Sequence, residues 1–428
     1  MSAPLLPRFG MGTAAIGNLY RAVGDDEAMA TVAAALAAGI GYFDTAPHYG
    51  FGLAERRLGA ALAVHDPAGR ALVSTKVGRL LVPTAAQGSR HGFVDADPFE
   101  PAFDYGADGI RASFAASLAR LRRERVDLLF AHDLGRMTHG DDHPRHLAAF
   151  LDGGHAAMVA LKRAGAVGGI GIGVNEIAVC DELLDRVDLD VILLAWRYTL
   201  LDRSAAALLD RCAERGVRVI VGGPYNSGIL AADPAEADPQ RLHYDYAAPD
   251  AAIVARTRAL AAACARAGVA LPAAALHFPL RHPAVACVVA GLVGADQVAA
   301  MVARIATPVP DAEWPLLDPL PQPEPMSPVT KQLILLHPDD NVLICVAPIA
   351  AGDVLPIGGG TVPAREGITV GHKIARRRLA LGDKVIKYGA PIGSMTAAAD
   401  TGEWVHMHNM KSDYIASHTR ATVTEARA

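Results

Sequence analysis

Four polar side chains stand directly after apolar runs that have the length of buried β-strands. Asp44 ends Gly-Tyr-Phe-Asp, Tyr49 follows five residues later, Lys76 ends Leu-Val-Ser-Thr-Lys, and His132 ends Leu-Leu-Phe-Ala-His. When parallel strands form one sheet, their carboxyl ends meet at the same edge, which is where ligands bind. We therefore expect these four side chains to lie together.

An aspartate, a tyrosine, a lysine and a histidine supply what reversible carbonyl–alcohol chemistry needs. A tyrosine hydroxyl has a pKa near ~10 in water and is a poor base at neutral pH. A neighbouring ammonium is expected to lower this pKa, a carboxylate orients the ammonium, and the histidine hydrogen-bonds the reacting oxygen. Singly, each residue is more often structural. Four matching types at successive strand ends favour an oxidoreductase site.

The order of apolar runs and helical patterns predicts the fold. Continuous Val, Ile, Leu, Ala and Gly runs are typical of strands buried on both faces of a parallel sheet. The predicted strands are Phe9–Thr13, Gly39–Phe43, Ala71–Thr75, Val126–Ala131, Gly168–Gly173, Val191–Ala195, Val217–Val221 and Val285–Ala290. Helical patterns between them include Ala54–Ala63, Ile110–Leu121, Ala156–Ala164, Ala205–Arg215 and Asp250–Ala267. Eight such units favour a closed (β/α)₈ TIM barrel over a doubly wound sheet, since no GxGxxG motif opens a helix after a strand.

Composition and charge exclude several classes of partner. The chain has 428 residues, 51% hydrophobic and 20% charged, with a net charge of −5 at pH 7. This balance is typical of a globular protein and argues against nucleic acid or an anionic membrane as a partner. The start of the sequence lacks a signal-peptide pattern, and the apolar run Ala28–Phe43 is too short to span a bilayer. Five scattered cysteines indicate reduced thiols, so we expect a cytoplasmic protein.

A proline-rich segment divides the chain. Residues 307–328 contain eight prolines, a density that blocks helix and sheet and favours extended backbone. Beyond it, short alternating runs such as Val342–Val346 and Trp404–His408 are separated by Gly, Asp and Pro, which predicts a small β domain. The predicted organisation is a barrel over residues 1–306, a linker over 307–329 and a small, mostly-β domain over 330–428.

The first region resembles the aldo-keto reductase family over roughly residues 5–305. The resemblance rests on Phe-Gly-Met-Gly-Thr13, Phe43-Asp44-Thr45-Ala46 through Tyr49-Gly50, Ser74-Thr75-Lys76 and His132. It implies a nicotinamide-dependent oxidoreductase in which Asp44, Tyr49, Lys76 and His132 are catalytic. The cofactor-binding residues that it implies are Gly12, Thr13, Asp44, Asn175, Gly223, Tyr225, Asn226, Gly228, Gly291 and Gln297.

Further motifs resemble the D-threo-aldose 1-dehydrogenase branch of that family. They are Phe-Asp-Tyr105-Gly-Ala-Asp-Gly-Ile-Arg, His132-Asp133 and Trp196-Arg197-Tyr198-Thr-Leu-Leu. The resemblance implies oxidation of C1 of a cyclic aldose, of the L-fucose, D-arabinose or L-galactose type, to its lactone. Tyr49 then accepts the proton of the anomeric hydroxyl. The expected substrate contacts are His48, Asp133, Trp196 and Arg197.

The last cofactor segment favours NAD as the cofactor, with NADP as the alternative. Leu292, Val293 and Gly294 are uncharged and offer no Lys or Arg to a 2′-phosphate. Two departures from the family pattern bear on cofactor contacts. Val174 stands where many relatives have Ser, and the Gln usual on the sixth strand is absent from Val191–Ala195.

Residues 333–410 resemble the SAF-type small domain of the altronate/galactarate dehydratase family, which implies a β-clip-like fold. The matching stretches include Leu336-His337-Pro338-Asp339-Asp340-Asn341-Val342, Gly371-His372-Lys373-Ile374-Ala375 and Gly402-Glu403-Trp404-Val405-His406-Met407-His408-Asn409. The family's larger catalytic half is missing, which leaves room for a separate dehydratase large subunit as a partner. One interpretation of His372, Lys373, His406 and His408 is contact with a sugar-acid carboxylate or a shared metal. The other is that they are ordinary surface residues, and both stay open.

Three functional hypotheses follow. The first is an NAD-dependent aldose 1-dehydrogenase joined to a dehydratase-like module. The second is an NADPH-dependent carbonyl reductase, and the third is a dehydratase small subunit or docking protein that carries the barrel as a scaffold. No metal is predicted, because no carboxylate or cysteine completes a ligand set with His139, His143, His146 and His155.

Overall fold

The structure, a computed structural model, describes residues 4–86, 88–232, 243–245, 249–317, 333–337, 339–357, 360–387 and 389–413. It divides into two units, Met1–Pro323 and Glu324–Ala428, which are treated separately below. The division falls inside the segment that the sequence analysis assigned to the linker.

Eight parallel strands close into a barrel in the first unit. Each strand pairs with its neighbour in the chain, and the first pairs with both the second and the last. Barrel strands 1 to 8 are Phe9–Gly12, Tyr42–Asp44, Leu72–Val77, Val126–His132, Val167–Val174, Val191–Ala195, Arg218–Gly222 and Val285–Gly291. This closure confirms the predicted TIM barrel and excludes the doubly wound sheet.

Helices surround the barrel and connect its strands. The α-helices are Asp25–Ala37, Leu53–His65, Ala107–Leu121, Arg136–His139, His143–Ala149, His155–Arg163, Ile177–Leu184, Ala206–Glu214, Ala251–Arg266, Leu271–His277, Ala295–Ile305 and Trp314–Leu317. A π-helical segment, Phe150–Gly154, joins two of them. An antiparallel hairpin of Arg79–Pro83 and Phe99–Phe103 follows barrel strand 3, in a segment whose structure the sequence pattern left undefined.

One helix contact depends on the absence of a side chain. Gly59 lies inside helix Leu53–His65, and a Cβ atom there would stand 2.5 Å from the carbonyl oxygen of Leu121 on the next helix. This carbonyl group belongs to the backbone, so it cannot move aside as the end of a flexible side chain could. The two helices therefore approach as closely as they do because residue 59 is glycine.

Gly59→Ala is expected to destabilise the barrel by about 1–3 kcal/mol through overpacking. A loss of stability would be informative, because replacing glycine by alanine in a helix interior normally stabilises a protein by up to about 1 kcal/mol. Urea unfolding measures the difference. Gly41→Ala is the control, because a Cβ at Gly41 meets nothing within 4 Å. Equal stability of the two variants would contradict the close-approach explanation.

The proline-rich segment begins as part of the barrel unit. Trp314 and Leu317 are buried, and the Trp314 ring lies against Phe278 at 6.2 Å between centroids. Arg203 also donates a hydrogen bond to the carbonyl of Leu317 at 3.1 Å. Residues 307–317, assigned above to the linker, thus pack on the barrel because large apolar side chains interrupt the prolines. The remaining linker residues, 318–329, lie outside the described residues.

The second unit consists of short antiparallel strands, as predicted. A four-stranded sheet joins Leu333–Ile334, Val342–Cys345, Lys373–Ala375 and Trp404–Val405. A three-stranded sheet joins Lys384–Lys387, Ala390–Met395 and Met410–Lys411, and Val354–Ile357 pairs with Gly360–Pro363. A carboxylate closes three similar turns by accepting a backbone N–H three residues earlier, in the pairs Asp353–Ala350, Asp383–Ala380 and Glu403–Asp400.

Two further expectations concern disulfides and membrane spans. All five cysteines are buried and free, in agreement with the expected thiols. Among the described residues, no single helix has the length and hydropathy to cross a bilayer. The bent pair Ala251–Arg266 and Leu271–Arg281 meets these criteria by length and composition alone.

Candidate active site

The Lys76 ammonium is the centre of a buried hydrogen-bonded cluster at the barrel mouth. Its Nζ donates to Asp44 Oδ2 at 2.7 Å, to the Thr45 carbonyl at 2.9 Å and to the Tyr49 hydroxyl at 3.1 Å. Barrel strands 2 and 3 bring these groups together, since they pair in parallel with Asp44 opposite Ser74. The side chains of Lys76 and Asp44 are only 1% and 5% exposed. The ammonium therefore lies beside the phenol oxygen, as the sequence analysis expected.

The Asp44 carboxylate is fixed by residues that the sequence analysis gave no role. Ser74 Oγ donates to Asp44 Oδ1 at 2.7 Å, and the Tyr42 hydroxyl lies 2.8 Å from Ser74 Oγ. Thr13, predicted to bind cofactor, donates its hydroxyl to the Asp44 carbonyl at 3.0 Å. Both carboxylate oxygens are engaged, so the direction in which Lys76 points is set before any ligand binds.

The electrostatics of Tyr49 differ from the expectation. Burial raises the pKa of Tyr49 well above its usual value, and the charges of Asp44 and Asp133 act in the same direction. The predicted lowering of this pKa is therefore wrong. The physical reason is that burial removes the hydration of a phenolate, and the two carboxylates add to this against the opposing charge of Arg79. The resting group is a neutral phenol that accepts a hydrogen bond from an ammonium.

His132 stands opposite Tyr49 as a neutral imidazole. The two ring centroids are 6.1 Å apart and the rings are nearly perpendicular. Burial, together with the positive charges of Arg79 and Lys76, holds the pKa of His132 well below its usual value. Nε2 lies 3.4 Å from Asp133 Oδ2, and Nδ1 has no partner among the described residues. A neutral imidazole here can hydrogen-bond a reacting oxygen without adding charge.

A buried ion pair beside His132 includes an arginine that the sequence analysis missed. Arg79, on the hairpin after barrel strand 3, pairs with Asp133. Asp133 has a left-handed backbone, with φ of 47°, and burial raises the pKa of its carboxyl group. The Tyr105 hydroxyl donates to the His132 carbonyl at 2.6 Å and so holds this strand end in place. The only signal for Arg79 was its position three residues after Lys76.

A cavity of about 650 Å³ opens above these groups. Its volume lies within the range of small-molecule and cofactor sites. Most of the predicted site residues line it, namely Gly12, Asp44, Tyr49, Lys76, His132, Asp133, Asn175, Trp196, Gly223, Tyr225, Gly228, Gly291 and Gln297. A Cβ at Gly291 or Gly228 would meet nothing within 4 Å, whereas one at Gly223 would collide with the Trp196 indole. Gly228 and Gly291 thus leave their backbone open to the cavity, whereas Gly223 lets the Trp196 indole pack closely.

Four predicted residues are not on the described wall of this cavity. Thr13 supports Asp44 as described above. Asn226 is buried and accepts a hydrogen bond from the Thr199 hydroxyl at 2.5 Å, which shapes the loop after barrel strand 7. His48 packs against the rings of Phe51, His91 and Phe93. The His48 ring also lies 6.1 Å from that of His132, centroid to centroid, and the expected contacts of Thr13, Asn226 and His48 with cofactor or substrate stay predictions.

Arg197 is the fourth, and its guanidinium is engaged within the protein. It pairs with Asp202 at 3.3 Å and Asp245 at 2.9 Å, and its Nε donates to the Asn175 carbonyl at 2.9 Å. These bonds hold the guanidinium against two carboxylates and the Asn175 backbone. Arg197 is not on the described cavity wall, and its substrate contact stays a prediction.

The cavity wall also carries two arginines that the sequence analysis missed. Arg304 lies seven residues after Gln297, two helical turns further along one face of Ala295–Ile305. It donates to the Tyr225 hydroxyl at 3.2 Å and to the Ala231 carbonyl at 3.0 Å. Arg21 pairs with Glu27 through two hydrogen bonds, of 2.5 and 3.1 Å. Both arginines thus already have hydrogen-bond partners in the protein.

The four histidines that follow His132 in the sequence make contacts within the protein. His143 bonds the Leu134 carbonyl at 3.0 Å, His155 bonds the Asp188 carbonyl at 2.9 Å, and the rings of His139 and His146 lie 4.2 Å apart. No group of three or more metal-ligating side chains occurs in the part of the chain that the structure describes.

Comparison with known families matches the two units separately. Residues 8–320 match the aldo/keto reductase family, and residues 331–413 match the altronate/galactarate dehydratase SAF domain. Pyridoxal 4-dehydrogenase of Microbacterium luteolum is 39% identical over 320 residues, covering 72% of this chain and 92% of that protein. D-threo-aldose 1-dehydrogenase of a Pseudomonas species is 38% identical over 316 residues, with the same two shares.

The second unit and the barrel also have relatives of known name or structure. Altronate dehydratase of Escherichia coli K12 is 39% identical over 82 residues, which cover 19% of this chain and 17% of that enzyme. The holo form of the aldo-keto reductase AKR11C1 from Bacillus halodurans has a TM-score of 0.57 and 26% identity, covering 74% of this chain and 92% of that one. The closed barrel, the hydrogen-bonded cluster at its mouth and these matches agree, and the chain belongs to the aldo/keto reductase family.

Proposed function

We propose that the barrel oxidises C1 of a cyclic aldose to the lactone, with NAD as the hydride acceptor. The observation that carries the proposal is the hydrogen bond from the buried Lys76 ammonium to the Tyr49 hydroxyl, on the wall of a cavity of cofactor size. The similarity to D-threo-aldose 1-dehydrogenase supports a sugar of the L-fucose, D-arabinose or L-galactose type.

Each group in the cluster has a proposed task. A bound nicotinamide dinucleotide supplies the hydride acceptor, and Gly12, Asn175 and Gln297 on the cavity wall are the residues expected to hold it. Tyr49 accepts the proton of the anomeric hydroxyl while the C1–H bond breaks. This transfer needs Tyr49 as the phenolate, whose charge Lys76 stabilises until the proton arrives, and neutral His132 hydrogen-bonds the sugar oxygen. The net products are lactone, reduced cofactor and one proton.

Asp133 and Trp196 are the proposed substrate contacts. Both line the cavity, and the Asp133 carboxylate, paired with Arg79, lies next to His132, the proposed partner of the sugar oxygen. A carboxylate accepts hydrogen bonds from sugar hydroxyls. The indole of Trp196 offers a flat apolar face for the sugar ring. His48 and Arg197 are not proposed as substrate contacts, because neither lies on the described cavity wall.

The uncharged residues Leu292, Val293 and Gly294 are the basis for proposing NAD over NADP. On the cavity wall, Arg21 is paired with Glu27, whereas Arg304 hydrogen-bonds the neutral Tyr225 hydroxyl and Ala231 carbonyl and keeps its charge. Glu27 Oε1 also lies 3.9 Å from the Cβ position of Gly294, in the last predicted cofactor segment. A carboxylate near that segment can accept a hydrogen bond from a free ribose hydroxyl.

A second candidate substrate is pyridoxal, because the relative of 39% identity is a pyridoxal 4-dehydrogenase. Carbonyl reduction with NADPH is the other alternative. An initial-rate panel separates them: L-fucose, D-arabinose, L-galactose and pyridoxal with NAD and NADP, and simple aldehydes with NADPH.

We expect reduced cofactor to form from at least one of the three aldoses, with kcat/KM for NAD at least about tenfold that for NADP, a difference of roughly 1.4 kcal/mol. Methyl α-L-fucoside is the control, since its blocked anomeric oxygen has no proton to give. Faster turnover of pyridoxal than of every aldose would replace the sugar with pyridoxal. Aldehyde reduction with NADPH as the only activity would overturn the proposed direction and cofactor.

The second unit is proposed to work with a separate dehydratase large subunit. This chain spans about a sixth of the altronate dehydratase that it matches, so the larger part of that enzyme has no counterpart here. Hydrolysis of a lactone gives an aldonate, which is the class of compound from which a sugar-acid dehydratase removes water. The two units would then act on successive compounds.

A further inference from the structure

An ion pair between Arg79 and Asp133 joins two segments at the barrel mouth. Arg79 is the first residue of the hairpin strand Arg79–Pro83, and Asp133 directly follows barrel strand 4. Arg79 Nη2 donates to Asp133 Oδ2, and the two side chains are only 7% and 14% exposed. The proposed reaction gives Arg79 no task, although its charge lies beside the reacting groups.

Both partners of this ion pair are held by the surrounding protein. The Asp133 N–H donates to the Gly173 carbonyl at 2.9 Å, and the Asp133 backbone is left-handed, with φ of 47°. Residues other than glycine in this conformation concentrate at functional sites. The Arg79 guanidinium lies over the Phe103 ring, 5.4 Å from its centroid. The fold therefore positions the Asp133 carboxylate before any ligand binds.

One oxygen of the Asp133 carboxylate is left for a ligand. Oδ2 is engaged by Arg79 and lies 3.4 Å from His132 Nε2. Oδ1 has no hydrogen-bond partner in the part of the chain that the structure describes, and Asp133 lines the cavity. Burial raises the pKa of Asp133, and Arg79 is the strongest charge that opposes this shift. Arg79 thus favours the ionised carboxylate, which accepts hydrogen bonds from hydroxyl groups.

The place of this carboxylate selects one hydroxyl group of a sugar. In the proposed reaction, His132 hydrogen-bonds the oxygen on C1, and Asp133 is next to His132. The hydroxyl group nearest to that oxygen in a cyclic aldose is the one on C2, since the ring oxygen, the other neighbour on C1, carries no hydrogen. L-Fucose, D-arabinose and L-galactose have the same configuration at C2, so one fixed acceptor serves all three.

We propose that Asp133, held by Arg79, accepts a hydrogen bond from the C2 hydroxyl group and so selects the configuration at that carbon. The inference rests on the proposed oxidation of an aldose and adds which part of the sugar the site recognises. Arg79 is a positioning residue, because it acts through Asp133. Without the guanidinium, the buried carboxylate takes up a proton and can no longer act as a charged acceptor.

Sugars that differ only at C2 test this contact. 2-Deoxy-D-ribose is D-arabinose without the C2 hydroxyl group, and D-ribose is the C2 epimer of D-arabinose. With the full chain and NAD, kcat/KM for D-arabinose should exceed that for 2-deoxy-D-ribose at least about 100-fold, because the deoxy sugar leaves the carboxylate unpaired. We call this ratio the C2 selectivity. D-Ribose should also be oxidised at least about tenfold less efficiently than D-arabinose. L-Fucose and 2-deoxy-L-fucose form a second pair.

Variants of the ion pair assign the C2 selectivity to its two residues. Asp133→Asn and Arg79→Met should each lower the C2 selectivity at least about tenfold. Arg79→Lys should keep it within about threefold of the wild-type value, since the pair is made through one nitrogen and a point charge can replace it.

Arg120→Met is the matched control for loss of a buried ion pair. Arg120 Nε lies 2.6 Å from Glu55 Oε2, and neither residue is on the described cavity wall. The variant should lower the free energy of unfolding in urea but leave the C2 selectivity unchanged. Urea unfolding of every variant then separates a change in stability from a change in recognition.

Several results would overturn the inference alone. They are equal kcat/KM for D-arabinose and 2-deoxy-D-ribose, C2 selectivity that survives in Asp133→Asn, and C2 selectivity that is lost in Arg120→Met as well. C2 selectivity that survives in Arg79→Met would contradict the role of Arg79. The absence of oxidation with every aldose would instead overturn the proposed function, and this inference with it.

Discussion

Tyr49→Phe should lower kcat/KM for sugar oxidation by about 10²–10⁴-fold, the usual contribution of a positioned proton acceptor. The substitution removes one oxygen and keeps the ring in its packing. It takes away the group to which Lys76 donates at 3.1 Å, so no base remains at the sugar hydroxyl. Steady-state rates with saturating NAD measure the effect. Cofactor affinity, followed by quenching of protein fluorescence, should change less than about threefold.

The pH dependence of kcat/KM for oxidation is a second test of the role of Tyr49. Oxidation needs the phenolate, and burial raises the pKa of Tyr49, so kcat/KM for oxidation should rise with pH throughout the range from 6 to 9. Because the pKa of His132 lies well below its usual value, its charge should not change in that range. Tyr49→Phe should abolish the slope along with most of the activity. A variant that retains both the rate and the slope would show that another group takes the proton.

Lys76→Met should both inactivate and destabilise the protein. It removes the ammonium and leaves the Asp44 carboxylate, 5% exposed, without its ion-pair partner. Breaking a buried pair from one side typically costs about 3–5 kcal/mol. We expect a loss of that size in the free energy of unfolding, measured in urea, and a loss of sugar oxidation at least as large as in Tyr49→Phe.

Two comparisons make the Lys76 prediction specific. Adding Asp44→Asn to Lys76→Met removes both charges and should restore much of the stability but none of the activity. Lys162→Met breaks the Lys162–Asp190 pair, in which both side chains are 22% exposed, and should cost about 1 kcal/mol or less. Equal losses in Lys76→Met and Lys162→Met would contradict the role assigned to burial.

The barrel and the core of its site could be predicted because they follow from the local pattern of apolar strands with polar residues at their ends. Strands such as Val191–Ala195 are continuously apolar, since helices cover one face and the barrel interior the other. The parallel order then sends Asp44, Lys76 and His132 to the same mouth without further information. The second unit followed from the same kind of pattern, with short strands between Gly-Asp turns.

The parts that could not be predicted depend on long-range contacts. Arg79 reaches Asp133, 54 positions away, through a hairpin with no clear sequence pattern. The motif around Arg197 predicts a substrate contact, but the guanidinium is paired with Asp202 and Asp245, which the motif does not indicate. The raised pKa of Tyr49 depends on burial at the site, which strand periodicity does not report.

The most direct test of the central claim follows C1 of the sugar itself. An aldose labelled with ¹³C at C1, chosen as the best substrate of the panel, is incubated with NAD and the full chain, and ¹³C NMR is compared with the absorbance of reduced cofactor. We expect the anomeric signals to be replaced by a lactone carbonyl signal, followed by its carboxylate, in a one-to-one ratio with NADH. NADH formation that leaves C1 unchanged, or no NADH from any aldose, would contradict the account.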